Sequence, residues 1–444
     1  MLEPGCFVMQ RAVVNTNTRI ERAVLVNSGA IVDHNSVVCA GAHVGLGSVV
    51  KSDCTIESGR KVEAGEVIFS TRRKIEGVDS RSLEDAVYAF GFGQHCSYVK
   101  PFGEGHINET YAVYMPGADG KDTPLYVLQR INDSIFTDVD LLQHNIYEVT
   151  THIREQLEKE GADDIDRRVL TFVKADNDKT YIKIEDGTFW RMSIFIPDAI
   201  TVETVNPEYS YHAGKAFGKF EAQVADITDR LGETIPNFHN MELRRDQLRQ
   251  AVKEDRAGRV AGVKDFIDEL EKYSEEMCLG ERLFREGKLK KHVCHCDTKV
   301  NNMMFDKEGR VLCVIDLDTV MPSLFVSDYG DFLRTGANTI AEDSPEFDKI
   351  DFRMDIFEAF TRGYIESASS FLTPLEISLL PYAAELFPYM QAVRFLWDYL
   401  NGDHYWKCKY PEHNLVRAKN QWHLFLKAKE HEAEMKKFIE GLNA

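Results

Sequence analysis

Eleven β-branched residues fall six positions apart along the first seventy residues: Val8, Val14, Ile20, Val26, Val32, Val38, Val44, Val50, Ile56, Val62 and Ile68. Between them sit small or turn-prone residues, among them Ser28-Gly29-Ala30, Gly41-Ala42, Gly47-Ser48, Gly59 and Gly65. An amphipathic helix needs apolar spacings of three and four, so an unbroken period of six rules it out. The period predicts a short left-handed parallel β-helix over residues 1–70, with three hexads to each triangular coil. The branched residue points inward on each flat face, and the small residues allow the corners. Three to four coils give a limited core with open ends. A stub of this kind gains by packing against copies of itself, so a homotrimer is expected.

The second constraint lies far downstream. His295-Cys296-Asp297-Thr298-Lys299-Val300-Asn301-Asn302 reads H-x-D-x-x-x-x-N, and an apolar run follows that ends Ile315-Asp316-Leu317-Asp318. The run Val311–Ile315 is too short and too β-branched for a helix, so it reads as a buried strand delivering Asp316. Phosphoryl transfer needs a group to accept the proton of the attacking hydroxyl and oxygen ligands to hold magnesium against ATP. Asp297 suits the first role, and Asn302 and Asp316 suit the second. His295 is expected to brace the loop. Asp318 shares the metal or orients Asp316, and Asp328, with Asp331 as its rival, ties the loop from outside.

This constellation resembles the aminoglycoside phosphotransferase and choline kinase superfamily. Pro101-Phe102-Gly103-Glu104-Gly105-His106-Ile107-Asn108, Tyr126-Val127-Leu128-Gln129-Arg130-Ile131-Asn132, Asp316-Leu317-Asp318-Thr319-Val320-Met321-Pro322 and Arg394-Phe395-Leu396 resemble its N-acetylhexosamine 1-kinase branch over roughly residues 86 to 440. The resemblance implies a bilobal, protein-kinase-like α+β fold, with a small antiparallel-sheet lobe at 86–197 and a helical lobe at 198–444. It implies ATP- and Mg2+-dependent phosphorylation of an N-acetylhexosamine at its anomeric hydroxyl. It also implies that His106, Asn108, Arg394 and Tyr405 face the sugar. An aminoglycoside or an amino alcohol is the competing acceptor.

Gly103 and Gly105 suit a turn whose amides approach phosphates. Arg130, ending a strand, suits a bidentate grip on phosphate oxygens, with Glu148 on the predicted helix Leu141–Lys159 as its partner. Residues 167–173, 180–185 and 189–196 are expected to complete the small sheet, and Pro197 marks the hinge. Tyr209–Ala225 and Leu243–Phe284 read as helices, and the loop 234–240 recurs in the resembling branch. Pro388–Leu400 reads as a helix carrying Arg394. An arginine on an apolar helix is costly to bury, which favours a polar partner there. Residues 71–85 read as a linker.

Within the repeat, Gly29 to Val44 resembles the hexapeptide-repeat sugar acetyltransferases of the sialic acid and bacillosamine type. By that resemblance His34 is a general base and His43 lies near acetyl-CoA, which would make the chain bifunctional. The sugar-binding domain that precedes the repeat in that family has no counterpart here. The alternative is a repeat used only for assembly.

A net charge of −19 disfavours nucleic acid and anionic membranes as partners. No run of membrane-spanning length and no leader stands out. Nine scattered cysteines without paired spacing suit reduced thiols, and hence a cytoplasmic protein.

Overall fold

The computed structural model describes residues 1–70, 74–103, 107–117, 119–175, 178–202 and 205–442. The chain divides into two compact units, residues 1–101 with 111–124, and residues 102–110 with 125–444.

The first unit opens with a parallel β-solenoid of about three turns. Its strands are two residues long, and each pairs with the strand one coil further on. Phe7 aligns with Leu25, Leu25 with His43, and His43 with Lys61. The inward residue of each middle strand, from Ile20 to Val62, is fully buried. Arg11, Asn17, Ala23, Asn35 and Asp53 take left-handed backbone at corners where no glycine stands. At Gly45 only glycine fits, because a Cβ would lie 2.5 Å from the Val62 carbonyl oxygen. Helix α1, Arg81–Ala89, is capped by Ser80 and tied to the solenoid by an ion pair from Arg81 to Asp53. It begins inside the stretch expected to be linker. Strand β1, Tyr98–Pro101, then pairs antiparallel with β2, Glu109–Pro116.

In the second unit, β3 (Asp122–Ile131) pairs antiparallel with β5 (Phe189–Ile194), which also pairs with β4 (Tyr181–Lys183). The segment 167–173 is not the strand expected. It follows a single helical turn and contributes one bridge, Phe172 to Ser193. Helix α2, Val139–Lys159, packs beneath the sheet. After Pro197, Ile200 exchanges two backbone hydrogen bonds with Phe305.

The helical region centres on two close crossings. Helices α3 (Pro207–Val224) and α5 (Met354–Ala368) meet at glycines. A Cβ on Gly214 would lie 2.1 Å from the Phe360 carbonyl oxygen, and one on Gly363 would lie 2.1 Å from that of Tyr211. The buried helix α4, Val326–Gly336, meets α6, Leu380–Asn401, at Gly330. Helix α6 begins two turns before the expected Pro388 and carries that proline in its interior. The expected long helix 243–284 is broken into the helices Met241–Glu254, Lys264–Glu271, Ser274–Met277 and Leu279–Arg285. Asp255 in left-handed backbone ends the first of these. No described helix is long and apolar enough to cross a membrane.

Candidate active site

The catalytic stretch is a loop held between two short sheets. Strand β6, His292–Cys294, leads in and pairs with β9, Met321–Ser323. A helical turn, Val300–Asn302, leads out into β7, Met303–Phe305, which pairs with β8, Val311–Val314. Helix α4 grips the loop by its main chain. Asp328 accepts the amides of His295 and Cys296 at 2.6 and 2.7 Å, and Asp331 accepts that of Thr298 at 3.1 Å. The Thr298 hydroxyl donates back to the Asp328 carbonyl at 2.6 Å. Burial pushes the Asp328 carboxyl up to about 6, even though the nearby His295 and the two amides favour its ionised form. The His295 ring, wholly buried, bonds the Ile315 carbonyl oxygen through Nε2 at 2.8 Å. His295 and Asp328 therefore hold shape. Both aspartates grip the loop, so the two expected rivals divide the task between them.

Three side chains then converge. Lys299 Nζ lies 2.9 Å from Asp297 Oδ1. Asn302 Nδ2 donates to the Asp297 main-chain oxygen at 2.8 Å and to Oδ2 at 3.1 Å. This fixes the Asn302 amide so that Oδ1 is its remaining acceptor. Burial acts against the Lys299 charge, but Asp297 and Asp331 outweigh it and raise the ammonium pKa. Asp316 sits at left-handed φ, +59°, at the end of the run after β8. As a residue Asp316 is exposed, yet protein crowds its carboxyl. That enclosure, then Asp318 and Asp297, pushes its carboxyl up to about 7. A hard cation with oxygen ligands relieves this repulsion. Asp316 and the free Asn302 Oδ1 are the donors such an ion requires, so the residues present fit magnesium.

Asp318 is a brace. Its carboxylate takes an ion pair from buried Arg191 and a hydrogen bond from Asn108 Nδ2. Arg191 Nε also donates to Gln129 Oε1 at 2.9 Å, and Asn108 Oδ1 accepts the Asn132 amide at 3.0 Å.

Within electrostatic reach of Asp297 lies a second cluster. Arg394 stands over the rings of Phe238 and Trp406, each 5.3 Å away, and donates to Gln391 Oε1 at 3.1 Å. Tyr405 lies near enough to Arg394 to favour its charged form. Asp398 positions Tyr405 by accepting the amides of His404, Tyr405 and Trp406 at 2.9–3.0 Å. His239 stacks on Phe238 at 4.3 Å. Burial, then Arg394 and Arg244, holds the His239 imidazole neutral.

Residues 99–364 match the phosphotransferase enzyme family. The chain belongs to that family. Among solved structures, the phosphotransferase is similar to a spectinomycin phosphotransferase in complex with ADP and spectinomycin, with 12% identity and a TM-score of 0.50, over 80% of this chain and 100% of that one. An ethanolamine kinase from Plasmodium vivax matches at 12% identity and a TM-score of 0.50, over 78% of this chain and 90% of that one. An aminoglycoside phosphotransferase from Alicyclobacillus acidocaldarius matches at 14% identity and a TM-score of 0.46, over 77% and 92%. Membership makes the chain a phosphotransferase, and its fold is the kinase-like one expected.

Other expected site residues are placed differently in the phosphotransferase. Gly103 is in left-handed backbone, φ +74°, as a tight turn requires, while Gly105 and His106 lie outside the described residues. Arg130 pairs with Glu109 at 2.8 Å and not with Glu148, which faces Arg230 at 3.7 Å. Sequence position pointed to Glu148, but the neighbouring edge of the sheet supplies a nearer carboxylate. Asn108 donates to Asp318 and accepts from the Asn132 amide, so it latches the D-x-D turn. Both Asp318 oxygens hold protein donors, Arg191 on one and Asn108 on the other, as befits a brace for the turn. In the solenoid, His34 Nδ1 bonds Asp33 Oδ1 at 3.1 Å, and His43 Nε2 lies 3.5 Å from Asn27 Nδ2. Lys299, Arg191, His239 and Arg244 were not read as site residues from sequence. The signal available for Arg191 was a lone arginine inside the apolar strand Phe189–Ile194.

Proposed function

We propose that the chain is an ATP-dependent sugar kinase that phosphorylates the anomeric hydroxyl of an N-acetylhexosamine. Asp297 orients the hydroxyl and accepts its proton, while Lys299 and Asn302 hold the carboxylate in place. Asp316 and Asn302 Oδ1 would hold magnesium, which supplies charge neutralisation on the ATP phosphates. Arg130 and the turn at Gly103 take the phosphates from the sheet side. Arg394 and Tyr405 bind the acceptor.

The observation that carries the sugar reading is the cationic acceptor side. Aminoglycosides and amino alcohols are cations, and an enclosed pair of guanidinium groups repels them. A sugar without an amine suffers no such repulsion. The test is ADP release from ATP and magnesium across free hexoses, N-acetylhexosamines, ethanolamine and aminoglycosides. Turnover on an N-acetylhexosamine, reduced about 10²- to 10⁴-fold by Asp297→Ala, is the expected result. Turnover confined to amines would overturn the reading.

Copies of the chain assemble as a trimer through the solenoid. Val13, Ile31, Val49 and Val67 form an outward apolar ladder along one of its faces, which supports this reading. A second reading, acetyl transfer through His34, is favoured by Asp33. That carboxylate is held down at about 2 by Asn15, then by the His34 amide, and it orients the imidazole. Free coenzyme A released from acetyl-CoA and a sugar amine, and lost in His34→Ala, would establish it.

A further inference from the structure

The acceptor side holds more positive charge than a neutral sugar needs. Most arginines around it meet a carboxylate: Arg245, Arg249, Arg259, Arg285 and Arg334 all do. Arg244 and Arg394 meet none among the described residues. Arg244 donates to the Phe238 carbonyl oxygen at 2.6 Å and to Gln247 Oε1 at 3.0 Å, and its buried Nε has no partner. Arg394 stands over the ring of the same Phe238. One aromatic residue thus gathers both guanidinium groups. Phe238 also packs on Cys294, Cys296 and Met321, which places the pair beside the catalytic loop. His239, stacked on Phe238, keeps a buried Nδ1 without a partner.

We propose that the acceptor sugar carries a carboxylate, held by Arg244 and Arg394 while Asp297 addresses its anomeric hydroxyl. This deepens the sugar-kinase reading and rests on it. Two enclosed guanidinium groups with neutral partners are unfavourable until an anion joins them. Burial, then Arg394, brings the Arg244 pKa down to about 10, and burial lowers that of Arg394 as well. The planar fork of arginine matches a carboxylate with two parallel bonds.

The ATP phosphates are not the anion in question. His239 ties the pair to the reacting end, since Arg394, Arg244 and the proton acceptor Asp297 all act on its imidazole. Neutral His239 supplies a hydrogen bond there without adding charge.

The experiment compares kcat/KM of the full chain with MgATP on four acceptors: N-acetylglucosamine, its C6 carboxylic acid, its 3-O-lactyl ether and its 6-phosphate. At least one carboxylate-bearing sugar should exceed the neutral parent about tenfold or more, through KM, as a charge-assisted pair predicts. Arg244→Gln and Arg394→Gln should each erase most of that preference. Since either variant could unfold, the ratio in the unsubstituted enzyme is itself decisive. A neutral parent used as well as both acids overturns the inference and leaves the sugar kinase standing. A preference for the 6-phosphate alone also overturns it, in favour of a phosphosugar. No turnover of any sugar overturns both readings.

Discussion

Asn302 gives its amide nitrogen to Asp297 and so keeps an oxygen for a cation; in the proposed mechanism one side chain serves both the base and the metal. Arg191 does comparable work one layer back. It is the cation of a buried pair with Asp318, both side chains at most 5% exposed. Removing one partner of such a pair leaves a buried charge uncompensated, at a cost of about 3–5 kcal/mol. Arg191→Leu should lower unfolding stability by that order in urea titration, and the double variant with Asp318→Leu should recover much of the loss. A single variant as stable as the parent would show that Asp318 needs no cation. The proposed triplet Asp297, Asn302 and Asp316 stood out in the sequence because its spacing is local. Arg191 was not, because its partner lies 127 residues away. The Arg244–Arg394 pair escaped for the same reason, although Arg394 itself stood out.

Among the elements, the solenoid was the easiest to read. A strict period fixes strand, corner and inward face together, and ten of the eleven predicted positions are at least half-buried. The outward positions are less uniform, since one face shows Arg19, Val37 and Thr55 where another shows Val13, Ile31, Val49 and Val67. The apolar face is the one expected to meet other copies. Ile31→Lys places a charge in the middle of that ladder, and sedimentation should then shift from trimer to monomer. A monomer before substitution would sink the assembly. Helix limits were harder to read. Pro388 looks like a helix start, yet tertiary packing of α6 against α4 keeps the helix going through it. The charged run 243–284 looks continuous because the left-handed turn at Asp255 leaves only a weak mark in sequence.

Across the whole molecule, acids held in the core set the response to pH. Glu385 on α6 is 2% exposed, and burial raises its carboxyl to about 7 despite Lys429 at 3.1 Å. A folded pKa above the unfolded 4.5 means that the native state holds the proton longer. The contribution to stability is full below about 4.5 and is lost as pH rises through 7. Glu385→Gln should flatten the decline between those limits by up to about 3 kcal/mol, at 1.36 kcal/mol for each pKa unit. Thermal midpoints taken from pH 4.5 to 8 would check this, and parallel curves for the two proteins would count against it. The order of elements, solenoid before antiparallel sheet before helices, was legible at this scale, while the helix crossings at Gly214, Gly363 and Gly330 were not. A glycine inside a helix signals close approach only once the neighbouring helix is known.

Helix α4 holds the catalytic loop by three amides and by one side chain, the Thr298 hydroxyl. The identity of the residues held by their amides alone is therefore almost irrelevant to the hold. Cys296 can drift to any residue that accepts left-handed backbone, with asparagine and glycine the easiest. Asp328, which touches no substrate, cannot drift at all. In a lineage of such enzymes the fixed letter would be a distant anchor, and the letter just before the catalytic aspartate would be free to vary.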